Sequence, residues 1–235
     1  MKLCNQELLG SIKILKKISE GQDGIIEHIC IYDDCEYIIK SIPYYTENQY
    51  KNIQNEIKVH NKLFKKFPNN IPAIISFWKC NNTIFILMEY LREYITLYKY
   101  LKKQSKLHKT LNIKNTPILS TITQFIKKIN SLKYLHGDTH SKNIMVRPNG
   151  SHFYLLDFGR TVDFNYKKPF LRTSNINKNL LIHFDLITLS NDLNESFSIS
   201  PETLRYMLIP DINLYLDNFY DVNDPDNLWF NSSNK

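Results

Sequence analysis

The stretch His136 to Thr161, "HGDTHSKNIMVRPNGSHFYLLDFGRT", holds the side chains best suited to chemistry. Asn143 and Asp157 bracket two strand-like runs, Ile144 to Arg147 and Ser151 to Leu156, joined by Pro148-Asn149-Gly150, a strong hairpin signal. A hairpin returns its ends to one place, so the Asn143 amide and the Asp157 carboxylate are expected side by side. One carboxylate and one amide, with phosphate oxygens completing the shell, match the ligand preference of Mg2+. Asp138, on an irregular loop just upstream, can face the same point and serve as a base or an orienting group. His136 and His140 have an H-x-x-x-H spacing, but a zinc site of that type needs a helix and a Glu after the first His, where Gly137 stands. His136 is expected to pack beneath the loop instead.

The elements that must position these residues are legible on either side. The chain has six glycines, and Gly21 and Gly24 fall together in "KISEGQDGIIEHIC", where backbone N–H groups could approach phosphates closely. From about Leu15 to Lys40 the sequence reads as short strands with turns between them, a small antiparallel sheet. Tyr50, Ile53, Ile57, His60, Leu63 and Phe64 recur at helical spacing over Glu47 to Phe67, and the helix is expected to stop before Pro68. Two more strands, "AIISFWK" and "TIFILMEYL", flank an Asn81-Asn82 turn. After Leu91 the chain turns helical, with "TLYKYLKKQ" and then "PILSTITQFIKKINSLKYL", which has Pro117 near its first turn.

Composition narrows the class. With 235 residues the chain is long enough to bury a substantial core unaided. The net charge of +7 comes from lysines spread along the sequence, not gathered in a stripe, so nucleic acid is not expected as a direct ligand. The four cysteines, Cys4, Cys30, Cys35 and Cys80, show no C-x-x-C spacing and are expected to be free thiols of a reducing compartment. No run approaches the ~18 apolar residues of a membrane helix. A cytoplasmic protein without a membrane segment is expected.

In this order the motifs resemble the protein-kinase-like superfamily. "SEGQDGII" is similar to its glycine-rich loop, with Ser19 at the place of the first glycine and Gly21 and Gly24 at the second and third. "YIIK" resembles the strand whose lysine, here Lys40, binds the α and β phosphates, and Glu56 matches the helix glutamate that pairs with it. "FILMEYL" resembles the hinge that holds adenine through backbone groups of Glu89 and Leu91 behind a bulky Met88. "HGDTHSKN" matches the catalytic loop, which makes Asp138 the catalytic base and Asn143 a metal ligand; "LLDFG" supplies Asp157 as the second metal ligand. "HFDLITLS" looks like the helix bracing that loop, with Asp185 as its buried aspartate.

The resemblance implies a two-lobed α+β fold. The N-lobe would span residues 1–88, an antiparallel sheet plus one helix; the hinge 89–93; and a reduced, mainly helical C-lobe 94–235. It implies ATP and Mg2+ as cofactors, with Mn2+ as a substitute, and transfer of the γ-phosphate to a protein Ser or Thr hydroxyl. Gly137 stands where most regulated protein kinases carry arginine, so activity should not require a phosphorylated activation loop. His140 stands where the catalytic-loop lysine is usual, and "HGDxHxxN" is how aminoglycoside and choline kinases read. A small-molecule acceptor is therefore the alternative, yet the short interval between Glu89 and His136 favours a protein acceptor. The reduced size also resembles the kinase family of the KEOPS tRNA-modification complex, which implies a partner-protein complex and an ATPase or switch role in RNA modification as a further alternative. "SPE" at Ser200 to Glu202 is not expected to be a functional motif.

Overall fold

The computed structural model describes residues 10–21, 24–31, 35–108, 116–163 and 178–199. A five-stranded antiparallel sheet is built from β1 (Ile12–Gly21), β2 (Gly24–Ile31), β3 (Cys35–Pro43), β4 (Ile74–Cys80) and β5 (Thr83–Glu89), in the order β1-β2-β3-β5-β4. β1 is an edge strand with register shifts between Ile14 and Lys16 and between Lys17 and Ser19. Such bulges, with lysines between the apolar residues, discourage pairing with other chains.

Helix α1 (Glu47–Lys66) crosses one face of the sheet. Thr46 and Gln49 form a capping box, each side chain taking the other's backbone N–H, with Glu47 in the first turn and Lys65 and Lys66 in the last. Its apolar stripe serves two cores. Ile53 and Ile57 pack with Ile42, Ile84 and Ile86 of the sheet. Beginning two residues after Ile57, Val59, Leu63 and the following Phe67 join a second core with Leu97, Leu119, Ile122, Ile126 and Leu189. A third cluster, Ile29, Ile31, Ile39, Trp78 and Leu87, fills out the sheet.

That second core is framed by α2 (Leu97–His108), α3 (Pro117–Ser131) and α4 (Lys178–Phe197). Two small sheets carry the site stretch: β6 (Ile95–Thr96) pairs with β8 (Ile144–Val146), which pairs with β9 (Phe153–Leu155), while β7 (Tyr134–Leu135) pairs with β10 (Val162–Asp163). The architecture is thus a two-lobed α+β arrangement.

Two expectations need correction. The helical run ending in "SLKYL" does not stay helical: α3 stops at Ser131, Lys133 turns left-handed at φ 64°, and Tyr134 and Leu135 become β7. At the exit the Asn130 carbonyl accepts from Lys133 and its side-chain amide donates to the Tyr134 carbonyl, so the backbone groups that leave the helix stay paired. Cys30 and Cys35 are free thiols as expected, whereas Cys80 is disulfide-bonded. Among the described residues no helix is long and apolar enough to cross a membrane. The "SPE" sequence lies outside the described residues.

Candidate active site

Lys40 lies on β3 and is almost fully buried. Its ammonium donates to Glu56 Oε1 of α1 at 2.8 Å and to Asp157 Oδ1, just after β9, at 3.2 Å. Three elements distant in sequence thereby converge on one charge. Burial on its own pulls the Lys40 pKa down, but the two carboxylates more than offset it and hold the ammonium above its ordinary value. The Asp157 carboxyl is held below the usual carboxylate range: burial pushes it up, while Lys40 and the Gly159 amide at 3.2 Å outweigh that. Asp157 has φ 59°, a left-handed backbone uncommon outside glycine, which the bond to Lys40 and the turn to Gly159 hold in place.

The hairpin does bring its ends together. Leu156 donates its amide to the Asn143 carbonyl at 2.8 Å, placing Asp157 one residue from that bridge. Asn143 in turn donates its side-chain amide to Asp138, to the backbone carbonyl and to Oδ2, both at 3.0 Å. This fixes the orientation of the amide, with Nδ2 on Asp138 and Oδ1 left over. The Asp138 carboxylate also faces His140 Nε2 at 3.6 Å through Oδ2 and Arg160 Nη1 at 3.7 Å through Oδ1. Burial raises its pKa, but the nearby His140 and the charge of Arg160 leave it lowered on balance, so it is a carboxylate at neutral pH.

Asp185 of α4 holds this loop from below. Fully buried, it accepts the amides of His136 and Gly137 and the side-chain amide of Asn130, each at 2.8 Å, while its own backbone carbonyl accepts the Thr139 hydroxyl. Asp192, two turns on, accepts the Ser141 amide at 2.7 Å. His136 is buried and donates Nε2–H to the Leu156 carbonyl at 2.9 Å, tying the loop to the hairpin.

On the other side, Ser19, Ile26 and Lys40 form one row across β1, β2 and β3. Gly21 and Gly24 pair at the β1–β2 turn, and their needs differ. A Cβ on Gly24, at φ 104°, would lie 2.3 Å from the Ser41 carbonyl, so the sheet itself demands glycine there. A Cβ on Gly21 meets nothing within 4 Å, so no neighbour among the described residues accounts for its missing side chain. At the end of β5, half-buried Met88 packs on the α1–sheet core. Glu89 donates its amide to Ala73 and the Leu91 carbonyl accepts from Tyr94, while no hydrogen bond among the described residues claims the Leu91 amide.

Sequence reasoning missed His60. It lies one turn after Glu56, buried, with Nε2–H donating to the Pro72 carbonyl at 2.7 Å and its ring edge-on to Phe158 at 4.9 Å. His136 also meets Phe158 edge-on, at 5.0 Å, so the residue next to Asp157 packs against two imidazoles. Burial pushes the His60 pKa down to about 4. Its helical spacing marked it as core; nothing in the local sequence marked a buried hydrogen bond. Arg160 was also missed, since its nearness to Asp138 depends on the turn after Phe158.

Among the described residues no group of three or more His, Cys, Asp or Glu could hold a metal ion. A Mg2+ site of one carboxylate and one amide, completed by phosphate oxygens, is smaller than such a group, and Asp157 and Asn143, joined through the Leu156–Asn143 bond, supply that donor set.

The sequence model of the protein kinase domain family matches residues 12–179, more than half of the chain and every element just described except most of α4. The chain belongs to the protein kinase domain family. No curated protein matches it.

Proposed function

We propose that the protein transfers the γ-phosphate of Mg-ATP to Ser or Thr hydroxyls of a protein acceptor. The observation that carries this reading is the convergence of Lys40, Glu56 and Asp157 beside the Asn143–Asp138 pair, in a chain of the kinase family.

In this reading the Leu91 amide and a Glu89 backbone group meet the adenine, with Met88 behind it. Lys40, held by Glu56, reaches the α and β phosphates, while Ser19 and Gly21 cover them from the β1–β2 turn and Gly24 shapes that turn. Asn143 Oδ1 and Asp157 Oδ2 would hold Mg2+ or Mn2+, which when bound neutralises charge developing on the phosphate oxygens. Asp138 accepts the hydroxyl proton as the acceptor oxygen bonds to the γ-phosphorus and the bond to the β–γ bridging oxygen breaks, leaving ADP. Little covalent chemistry is asked of the protein, so positioning dominates.

The "HGDxHxxN" spelling supports a second reading, a small-molecule acceptor. Against it, the described chain between Glu89 and His136 holds only β6, α2, α3 and β7, without further helices to enclose a metabolite. The test is transfer from γ-labelled Mg-ATP to protein acceptors, with the modified residues mapped by mass spectrometry. Phosphoserine or phosphothreonine is expected; ATP binding with label only in a small-molecule product would favour the second reading.

A further inference from the structure

The catalytic carboxylate has one oxygen engaged and one oxygen facing a cation. Asp138 Oδ2 accepts from Asn143 at 3.0 Å and faces His140, whereas Oδ1, among the described residues, faces the Arg160 guanidinium at 3.7 Å. A hydroxyl arriving to give up its proton needs an unhindered carboxylate oxygen, and Oδ1 is the one available. Arg160 sits across it.

The arginine is held at its backbone and loose at its tip. Thr161 donates its amide to the Phe158 carbonyl and its hydroxyl to the His136 carbonyl, and Val162 and Asp163 then pair with β7. Gly137 completes the grip: at φ 80° it lies so close to Arg160 that a Cβ there would be 2.6 Å from the Arg160 carbonyl oxygen. The side chain itself is 63% exposed, and Asp138 is its one ion-pair partner among the described residues. An ion pair that long and that wet is weak and readily exchanged. Guanidinium prefers a planar, two-oxygen partner that it can bind by parallel N–H bonds, which carboxylate and phosphate groups supply. Asp138 offers it one oxygen at the edge of contact.

We propose that Arg160 determines acceptor specificity: an anionic group beside the acceptor hydroxyl, carboxylate or phosphate on a peptide, draws Arg160 away and frees Oδ1 of Asp138 for the proton. The inference rests on the protein-acceptor reading above. A neutral acceptor leaves the guanidinium across Oδ1 of Asp138. His140, 31% exposed on the same carboxylate, and the exposed Lys142 add to the cationic setting an anionic peptide would enter.

The experiment measures kcat/KM on four peptides that share one acceptor serine and differ in the flanking residues: Asp and Glu, phosphoserine, Ala, or Lys. The full chain is used as wild type, Arg160→Ala, Arg160→Lys and Arg160→Glu. Wild type should favour the acidic or phosphorylated peptide over the Ala peptide by roughly tenfold or more, the size of one charge-assisted pair. Favour for both, or for one, identifies the anion source. Arg160→Ala should erase the preference from both sides, raising KM for the anionic peptide and raising kcat on the Ala peptide, whose proton acceptor is no longer covered; Arg160→Lys should keep part of it, and Arg160→Glu should move it toward the Lys peptide. A merely structural arginine would lower all four rates together and could not invert a charge preference. Equal wild-type rates on the four peptides, or an unchanged preference in Arg160→Ala, would overturn the inference while leaving the protein-acceptor reading intact. Transfer to none of them or to any protein, with ATP still bound, would overturn both.

Discussion

Lys40 is the residue on which the site is organised. Its two carboxylate partners come from α1 and from the segment after β9, and removing its charge would leave them near one another without a cation. Glu56→Gln keeps the shape and weakens the grip on Lys40, so turnover should fall by about 10²-fold with the protein folded, a loss of positioning read from steady-state kinetics. His60 gives a second prediction, in stability. Its pKa is depressed to about 4 from an ordinary value near 6.5, so the neutral form is the folded one. The stabilisation is fully present above pH ~6.5 and is lost as pH falls through about 4, on the order of 3 kcal/mol in all. Denaturant unfolding between pH 7 and pH 4 should show this slope, and His60→Leu should flatten it. An unaltered slope in that variant would mean another group carries the acid sensitivity. Asn143 and Asp157 could be placed together from sequence because they bracket a hairpin signal, and Asp138 because it lies on the loop just upstream of it. His60 and Arg160 could not, because each gains its meaning from a partner across the fold, Pro72 in one case and Asp138 in the other.

At the scale of elements, the loop from His136 to Asn143 has almost no regular structure and is held by α4. Asp185 accepts three N–H groups from two segments, so Asp185→Ala would leave buried donors without acceptors. A cost of about 3 kcal/mol or more is expected in chemical denaturation, together with loss of turnover. Gly137→Ala tests the other side of the loop. A Cβ at a left-handed position, 2.6 Å from a backbone oxygen, should cost about 2 kcal/mol or more and displace the Phe158–Thr161 turn, whereas Gly21→Ala should leave stability nearly unchanged. Equal stability losses at the two glycines would contradict the different reasons assigned to them. The existence and type of α1, the β8–β9 hairpin and β4–β5 were readable because periodicity, capping and turn residues agree there. The end of α3 was not, because "SLKYL" continues an apolar helical pattern while Asn130 satisfies the Tyr134 carbonyl and lets the strand begin.

Across the molecule, α1 is the element shared by both cores. Ile53 and Ile57 belong to the sheet side and Val59 and Leu63 to the helical side, with Glu56 next to Ile57 and His60 next to Val59. Packing on either side is therefore felt at the Lys40–Glu56 pair. Leu63→Ala should cost ~2–5 kcal/mol and lower one cooperative unfolding transition; two separated transitions in calorimetry would mean that the cores melt independently. This sharing could not be read from the sequence, which shows one apolar stripe and not that its two halves face different neighbours. Together these parts are proposed to assemble a phosphotransferase. That reading is tested most directly by single-turnover conversion of γ-labelled Mg-ATP by wild type beside Asp138→Ala, with nucleotide binding followed in the same samples. Wild type should move the label to an acceptor hydroxyl, while the variant binds nucleotide and transfers ~10²–10⁴-fold more slowly. Equal rates in the two proteins, or a wild type that binds no nucleotide, would contradict it.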